Sequence, residues 1–258
     1  MSRLPPRPLV AIDKAACADA AATGAWHLRG FLTDAQQDAF VAAARQLRGL
    51  APMAHPTMRD GTPLSVRVSS FGSRGWWGDG QGFRYVDKHP GTGRAFPAIP
   101  VDLREATYHA LYAASRYTGE VDPQHTAASW GLPRGLYDHV AAIDTCLVNL
   151  YAPDASLGWH VDQTELDRVS PIITFSIGAS CTFELKLEIR GETSIVRHHL
   201  SSGDAVVMAG PSRLAEHRVT NIHPEQQADL FGPPLYNPIQ ASAPGTRLSF
   251  TLRRTGYA

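Results

Sequence analysis

Trp159-His160-Val161-Asp162 brings two metal-binding side chains together within one short run of the chain. In an extended strand successive side chains point to opposite faces, so His160 and Asp162 would project the same way, about 7 Å apart. His217, about 55 residues further on, would add a second imidazole from a distant strand. Two imidazoles and one carboxylate occupy one face of an octahedral Fe(II) ion and leave the other positions open. The pattern predicts an iron centre built on strands, although a His-x-Asp pair also occurs by chance without a metal.

The segment Arg247-Leu248-Ser249-Phe250-Thr251-Leu252-Arg253 alternates polar and apolar residues with a period of two. This period is typical of a half-buried strand, and it places the two arginines on one face, about 20 Å apart at the ideal rise. The guanidinium fork of arginine suits a carboxylate held bidentately. The segment therefore predicts a pocket for a small dicarboxylic acid that also chelates the metal. An edge strand with two solvated arginines is the alternative.

A third segment, Asn149-Leu150-Tyr151-Ala152-Pro153, places an amide and a phenol two residues apart on another predicted strand. Taken together, the three segments closely resemble the AlkB family of Fe(II)- and 2-oxoglutarate-dependent nucleic-acid demethylases. The resemblance runs from about residue 20 to the C-terminus and includes Gly203-Asp204 and Ser212-Arg213-Leu214. It implies that His160, Asp162 and His217 bind Fe(II).

The resemblance also assigns a pocket for 2-oxoglutarate. Arg247, assisted by Tyr151, would grip the distal carboxylate, and Arg253 with Asn149 would contact the keto-acid end. Ser249 belongs to the same pocket and stands where bacterial members often carry an asparagine. O2 is the second cosubstrate that the family implies.

Residues 59–94 form a glycine-rich segment that carries both basic and aromatic side chains. Its six basic residues (Arg59, Arg67, Arg74, Arg84, Lys88 and Arg94) outnumber three acidic ones (Asp60, Asp79 and Asp87). Arginines beside exposed aromatic rings suit phosphate contact and base stacking, although a hairpin packed on a barrel has the same composition. The resemblance implies a nucleotide-recognition lid over about residues 55–95. In it Trp76 would stack on a flipped base, Phe83 would replace a tyrosine, and Tyr85 would complete the contact surface.

Four further residues are expected to contact the substrate, namely Thr164, Glu165, Arg190 and Arg213. Thr164 stands where bacterial relatives use an aspartate to recognise a cationic lesion. The run from His160 to Asp167 looks closer to the eukaryotic group associated with RNA and mitochondrial substrates. The preference between DNA and RNA therefore stays open.

The activity that the resemblance implies is oxidative demethylation of 1-methyladenine and 3-methylcytosine in single- or double-stranded DNA or RNA, which directly reverses alkylation damage. Its products would be succinate, CO2 and formaldehyde. A tRNA- or RNA-modifying demethylase of the same family is one alternative. A 2-oxoglutarate oxygenase acting on a protein or metabolite is another, and a non-catalytic metal-binding jelly-roll is a third. The two carboxylate-binding arginines argue against the last of these.

Composition narrows the class of protein further. The 258 residues carry 24 basic and 24 acidic side chains, which is a mild argument against a nucleic-acid partner. Three cysteines (Cys17, Cys146 and Cys181) lack paired spacing, so we expect reduced thiols in a cytoplasmic protein. Neither a signal peptide nor a membrane span is expected, and we expect a monomer.

The scaffold predicted from the pattern is a single α+β domain over residues 1–258. A capping box at Thr33 to Gln36 predicts one helix, and apolar spacing after Pro100 predicts a second. Strands are predicted over residues 143–151, 172–177, 182–189, 194–200, 205–208 and 247–253, with a hairpin turn at Arg190-Gly191-Glu192. We expect a double-stranded β-helix, or jelly-roll, as the catalytic core over residues 141–258, with N-terminal supporting helices and the lid. Trp159 is expected to pack in the core, and the proline-rich residues 222–245 to form a functional loop or a mobile insertion.

Overall fold

The computed structural model describes residues 23–121, 132–133, 135–189, 191–223 and 245–257. Twelve strands and three α-helices lie in these ranges. Arg190, Cys17 and most of the proline-rich segment (residues 224–244) lie outside them, so the expectations for these residues stay predictions. No helix among the described residues has both the length and the apolar character needed to cross a membrane.

The first helix, α1 (Asp34–Leu50), begins at the predicted capping box. The Gln36 backbone N–H donates to the Thr33 hydroxyl at 3.4 Å, and the Thr33 backbone N–H donates to the Gln36 side chain at 3.0 Å. Two backbone donors at the start of the helix are thereby satisfied. The second predicted helix is α2 (Val101–Val121). A short third helix, α3 (Leu136–Ala142), was not predicted and has no side-chain cap at its N-terminus.

Two antiparallel sheets form the body of the protein. The larger sheet contains β1 (Ala25–Leu28), β2 (Arg67–Gly72), β5 (Thr145–Tyr151), β7 (Ile172–Gly178), β10 (Ala205–Met208) and β12 (Arg247–Arg253). The smaller contains β6 (Leu157–His160), β8 (Ser180–Ile189), β9 (Glu192–Leu200) and β11 (Glu216–His223). The strand order is β1-β10-β7-β12-β5-β2 in the larger sheet and β6-β11-β8-β9 in the smaller. The predicted jelly-roll is confirmed, and the pairing of Ile189 with Glu192 confirms the β8–β9 hairpin.

The larger sheet extends beyond residues 141–258, the limits predicted for the catalytic core. Strands β1 and β2 lie before residue 141 but form the two edges of the larger sheet. Strand β2 also falls inside the range expected for the lid. The part that stands apart from both sheets is the hairpin of β3 (Gly75–Asp79) and β4 (Gly82–Val86), and we call it the lid hairpin.

Strand β12 divides the interior into two compartments. Leu248, Phe250 and Leu252 are fully buried on the side that faces the helices, where Phe40 of α1 meets the Phe250 ring at 5.3 Å between centroids. Burial of each such side chain stabilises the fold by roughly 1.5–3 kcal/mol. The opposite face of β12 looks into the space between the two sheets. The alternation predicted from the sequence therefore separates a helix-packed core from a cavity.

Gly72 sets the path by which the chain leaves the larger sheet for the lid hairpin. It has a φ of +113°, and a Cβ placed there would lie 2.1 Å from the Asp144 carbonyl oxygen. Both the backbone conformation and the close approach exclude a side chain.

We expect Gly72→Ala to destabilise the fold by more than about 1 kcal/mol, because alanine at a positive φ costs at least that much and the backbone must also move. Gly80→Ala is the matched control, since nothing lies within 4 Å of its Cβ position. Urea unfolding of both variants measures the difference. Equal stability of the two variants would contradict the role given to Gly72.

Candidate metal centre and cosubstrate pocket

The three predicted metal ligands meet between the sheets. His160 ends β6 and lies directly opposite His217 of β11, with 4.2 Å between the ring centroids. Asp162 lies two residues beyond the end of β6, and its Oδ2 is 3.7 Å from His217 Nε2. One ligand atom from each residue lies within 4.8 Å of the other two, and within the described ranges no other three such side chains converge in this way. The strand was expected to continue through Asp162, but it ends earlier and the carboxylate still reaches the site.

Backbone carbonyls fix the orientation of both imidazoles. His160 Nδ1 donates to the Gly158 carbonyl at 2.8 Å, and His217 Nδ1 donates to the Ala215 carbonyl at 3.0 Å. Each Nε2 is then left with a lone pair, which is the tautomer that a metal requires. Burial lowers the pKa of His217, against the opposing effect of Asp162. The donor set thus fits a divalent ion such as Fe(II).

Asp162 is held as a carboxylate. Burial alone would raise its pKa, but Arg253, His217 and His160 outweigh that effect and hold the pKa of Asp162 well below its usual range. Arg253 Nη2 lies 3.1 Å from Asp162 Oδ2. The ligand is therefore charged at neutral pH without competition from a proton.

A cavity of about 390 Å³ adjoins the triad, and Arg247 lies in its wall. Arg247 is 1% exposed and donates from Nη2 to the Ser176 hydroxyl at 2.9 Å. Its Nε and Nη1 are buried without a hydrogen-bond partner among the described residues. A buried guanidinium with free donors is costly unless an anion pairs with it. The distal carboxylate of 2-oxoglutarate fits this requirement.

The remaining predicted cosubstrate residues line the same cavity. Asn149, Tyr151 and Ser249 all face it, and the Tyr151 ring lies 5.0 Å from the Arg247 guanidinium carbon. Burial raises the pKa of Tyr151, so its phenol stays a hydrogen-bond donor. Arg253 also lines the cavity, but its terminal nitrogens contact Asp162 and Glu165. Its predicted contact with the keto-acid end stays a prediction.

The lid hairpin presents an aromatic pair to the cavity. Trp76 and Phe83 are stacked, with 4.9 Å between ring centroids and 27° between ring planes, and both line the cavity. Phe83 is 44% exposed. Thr164 lies in the cavity wall as well. Trp76, Phe83 and Thr164 therefore line the cavity that adjoins the triad, and their contact with a substrate stays a prediction.

Three other residues predicted to contact the substrate lie inside the protein. Tyr85, Glu165 and Arg213 are at most 9% exposed and do not line the cavity. The Tyr85 hydroxyl donates to Glu165, and Arg213 donates to three backbone carbonyls, those of Asp162, Asp167 and Ser170. The structure places these three side chains inside the fold rather than in the cavity wall, and their direct contact with the substrate stays a prediction.

Trp159 was expected to pack in the core, and this expectation is wrong. Lys186 Nζ and the Arg218 guanidinium lie 4.3 Å and 4.6 Å from the centroid of its ring, on the outer side of the smaller sheet. Sequence reasoning also missed the apolar wall of the cavity, which includes Met58, Leu64, Leu157, Phe183 and Met208. An apolar residue on the inner face of a strand gives the same signal whether it lines a core or a cavity, so the pattern could not separate the two.

We expect His217→Ala to abolish metal binding and succinate production while the protein stays folded. Loss of a ligand should cost more than the roughly 10–100-fold in affinity that loss of an outer partner costs. Mn(II) titration of the metal-free protein measures the effect, and His223→Ala, at the exposed end of the same strand, is the control. Wild-type affinity in His217→Ala would remove this residue from the site.

We expect Arg247→Ala to raise the KM for 2-oxoglutarate strongly, since truncating one partner of a buried charge pair costs about 2–5 kcal/mol. Arg247→Lys should recover only part of the loss, because the ammonium lacks the bidentate fork. Succinate release at increasing 2-oxoglutarate concentration measures both. If both variants saturate at wild-type concentrations, the carboxylate is held elsewhere.

Comparison with known proteins agrees with this geometry. The 2OG-Fe(II) oxygenase superfamily model matches residues 24–253. The alpha-ketoglutarate-dependent dioxygenase AlkB homolog of Caulobacter vibrioides is 32% identical over 230 residues, covering 89% of this chain and 86% of the relative. The tRNA demethylase abh1 of Schizosaccharomyces pombe is 36% identical over 107 residues, covering 36% of this chain and 35% of that protein.

Among solved structures, that of OsALKBH1 has a TM-score of 0.68 and 24% identity, covering 90% of this chain and 98% of the other, and this likeness concerns the fold. The matched model spans nearly the whole described chain, and the bacterial relative, matched over 86% of its length, carries the AlkB name. The chain therefore belongs to the 2OG-Fe(II) oxygenase superfamily and, within it, to the AlkB family of Fe(II)- and 2-oxoglutarate-dependent dioxygenases.

Proposed function

We propose that this dioxygenase removes N-methyl groups from alkylated bases, such as 1-methyladenine and 3-methylcytosine, in DNA or RNA. The observation that carries the proposal is the stacked pair Trp76 and Phe83 on the lid hairpin, which lines the same cavity as the metal triad. Base–aromatic stacking is tolerant of base identity and is how proteins hold unpaired bases. The named activity of the fission-yeast relative supports the same substrate class.

The cavity suits one flat, methylated ring. Its volume of about 390 Å³ lies within the range for small-ligand sites, and apolar side chains line it beside the metal triad and the two arginines. A base in a duplex cannot reach a site between two sheets, so the substrate is a single strand or a base flipped out of the helix. Trp76 would hold the ring while the cavity admits its methyl group.

Each protein group has a separate task in the reaction. His160, Asp162 and His217 hold the metal, and Arg247 with Tyr151 orients the cosubstrate by its distal carboxylate. The apolar residues around the cavity exclude water from the reacting methyl group. When bound, Fe(II) together with 2-oxoglutarate and O2 supplies the oxidation that releases the methyl group as formaldehyde, with succinate and CO2 as the other products.

We also propose that the protein acts as a monomer in the cytoplasm. The thiols of Cys146 and Cys181 are buried and unpaired, which suits a reducing compartment. Size-exclusion chromatography and cell fractionation test the two statements.

Formaldehyde release across methylated and unmethylated oligonucleotides, as single and double strands of DNA and RNA, tests the proposed function. We expect release only with methylated strands, and with single strands faster than duplexes because no base needs to be unpaired. Succinate formation that responds to a methylated peptide or metabolite but to no oligonucleotide would favour the alternative substrate class.

We expect Trp76→Ala to weaken binding of a methylated oligonucleotide by about ten-fold or more, since stacking contributes roughly 1–3 kcal/mol per base. Trp76→Phe should retain most of the affinity because it keeps an aromatic face. The matched control is Trp77→Ala, whose ring contacts His89 and does not line the cavity. Fluorescence anisotropy measures binding, and Mn(II) titration checks that the metal site is intact.

Equal oligonucleotide affinities of Trp76→Ala and wild type would show that the hairpin is a packing element only. Binding should fall with added salt with a shallow slope, because few phosphates are contacted. A steep slope would instead indicate a basic surface outside the lid hairpin.

A further inference from the structure

Four charged side chains lie behind the metal triad in a buried cluster. Glu165, Arg213 and Arg253 are 1%, 2% and 4% exposed, and Asp162 faces them from the metal site. Asp162 and Glu165 come from the loop after β6, Arg253 ends β12, and Arg213 follows the short helical turn Gly210–Ser212. The cluster holds two positive and two negative charges, so it is neutral before any metal binds. Buried charges require such pairing.

Arg253 is shared between the two carboxylates. Its Nη1 donates to Glu165 Oε1 at 2.5 Å, while its Nη2 lies 3.1 Å from Asp162 Oδ2. The contact with Glu165, which binds no metal, is thus the shorter of the two. Glu165 thereby draws Arg253 away from a two-point grip on the ligand.

Glu165 has two further neighbours. The Tyr85 hydroxyl, from strand β4 of the lid hairpin, donates to the same Oε1 at 2.5 Å. Arg213 Nη2 lies 3.7 Å from Oε2, which otherwise has no hydrogen-bond partner among the described residues. Arg213 itself donates to the backbone carbonyls of Asp162, Asp167 and Ser170, and these hydrogen bonds fix the loop that carries Asp162 and Glu165. The carboxylate of Glu165 is therefore the point at which the lid hairpin, the loop and β12 meet.

We propose that Glu165 is a positioning residue for the metal centre. It holds Arg253 in the shared position, which leaves the Asp162 carboxylate available to the metal, and it anchors the lid hairpin to the same point through Tyr85. Without the charge of Glu165, both terminal nitrogens of Arg253 would turn to Asp162 and form the bidentate pair that arginine favours. That pair would compete with the metal. The proposal holds for any substrate and does not depend on demethylation of nucleic acid.

A positioning role and a purely structural role of Glu165 predict different changes in ligand affinity. Removing its negative charge weakens binding of a divalent cation but does not weaken binding of the dianion 2-oxoglutarate. A disordered site would instead lose affinity for both. The two ligands therefore give opposite or unequal responses if Glu165 acts as proposed.

The test is Glu165→Gln, with Mn(II) affinity of the metal-free protein and the KM for 2-oxoglutarate at saturating metal as readouts. We expect Mn(II) affinity to fall about ten-fold or more, as a unit charge change in a buried site predicts, and the KM to stay unchanged or to fall. Glu165→Asp keeps the charge but withdraws it from Arg253 and Tyr85, so its Mn(II) affinity should lie between those of wild type and Glu165→Gln. It also provides a folded variant should the glutamine variant unfold.

Glu184→Gln is the matched control. Glu184 is 2% exposed and accepts hydrogen bonds from Arg197 and Arg218, but on the outer face of the smaller sheet. The Glu184→Gln substitution should leave Mn(II) affinity within about two-fold of wild type. Tyr85→Phe removes a hydrogen bond without a charge and should cost less Mn(II) affinity than Glu165→Gln. Wild-type Mn(II) affinity in both Glu165 variants, or an equal loss for metal and 2-oxoglutarate, would overturn the proposal.

Discussion

Strand β12 buries two guanidinium groups on one face of a strand whose other face lies in the hydrophobic core. All seven of its residues are buried, and it is hydrogen-bonded on both sides, to β5 and β7. A buried arginine is tolerated only where carboxylates or other acceptors meet it. The two arginines meet this constraint to different degrees. Both terminal nitrogens of Arg253 contact protein carboxylates, those of Asp162 and Glu165, and only its Nε is unpaired among the described residues. Arg247 has both Nε and Nη1 unpaired among those residues.

This difference between the two arginines assigns the ends of the pocket. At one end, the terminal nitrogens of Arg253 already contact protein carboxylates, one of them the metal ligand Asp162. The end at Arg247 needs an anion, and the cavity between the two arginines also opens to the triad. A dicarboxylate that chelates the metal with one end and meets Arg247 with the other satisfies both. The metal centre and the cosubstrate pocket are thus consequences of one strand.

The site also depends on both sheets at once. His160 and His217 belong to the smaller sheet, whereas Arg247, Asn149 and Tyr151 belong to the larger. The metal ligands therefore come from the smaller sheet and the loop after β6, and a cosubstrate that reaches both the metal and Arg247 must bridge the two sheets. Ligands that bind the folded state alone stabilise it by mass action, by about 2.7 kcal/mol at a hundred times their Kd. In this architecture that stabilisation acts on the packing between the sheets.

The sequence predicted those features whose signal is local and periodic. The alternation of β12, the capping box of α1 and the spacing of His160 and Asp162 all belong to this class. Strand β11 escaped prediction because its pairing shifts register between Thr220 and His223, where Asn221 has a φ of +51°, and this breaks the period of two. Strand β1 is buried on both faces and so has no alternation. Polarity alone also does not reveal that Tyr85 and Glu165 contact each other, or that Arg213 donates to three backbone carbonyls.

The zero net charge of the chain is reflected at the lid hairpin, where basic and acidic side chains pair with each other. Two of the arginines expected to meet phosphates are paired within the segment, Arg84 with Asp79 at 2.6 Å and Arg74 with Asp87 at 2.7 Å. Hydrogen bonds from Arg84 lower the pKa of Asp79 to about 2, so this pair stays ionised at neutral pH. A nucleic-acid strand that approached these arginines would have to displace the carboxylates with which they are already paired. In the proposed function these paired arginines would attract the nucleic-acid backbone only weakly, and the stacked Trp76 and Phe83, with the cavity beneath them, would supply most of the recognition. A protein that binds a base chiefly by stacking and shape needs no basic surface, which reconciles a neutral chain with a nucleic-acid substrate.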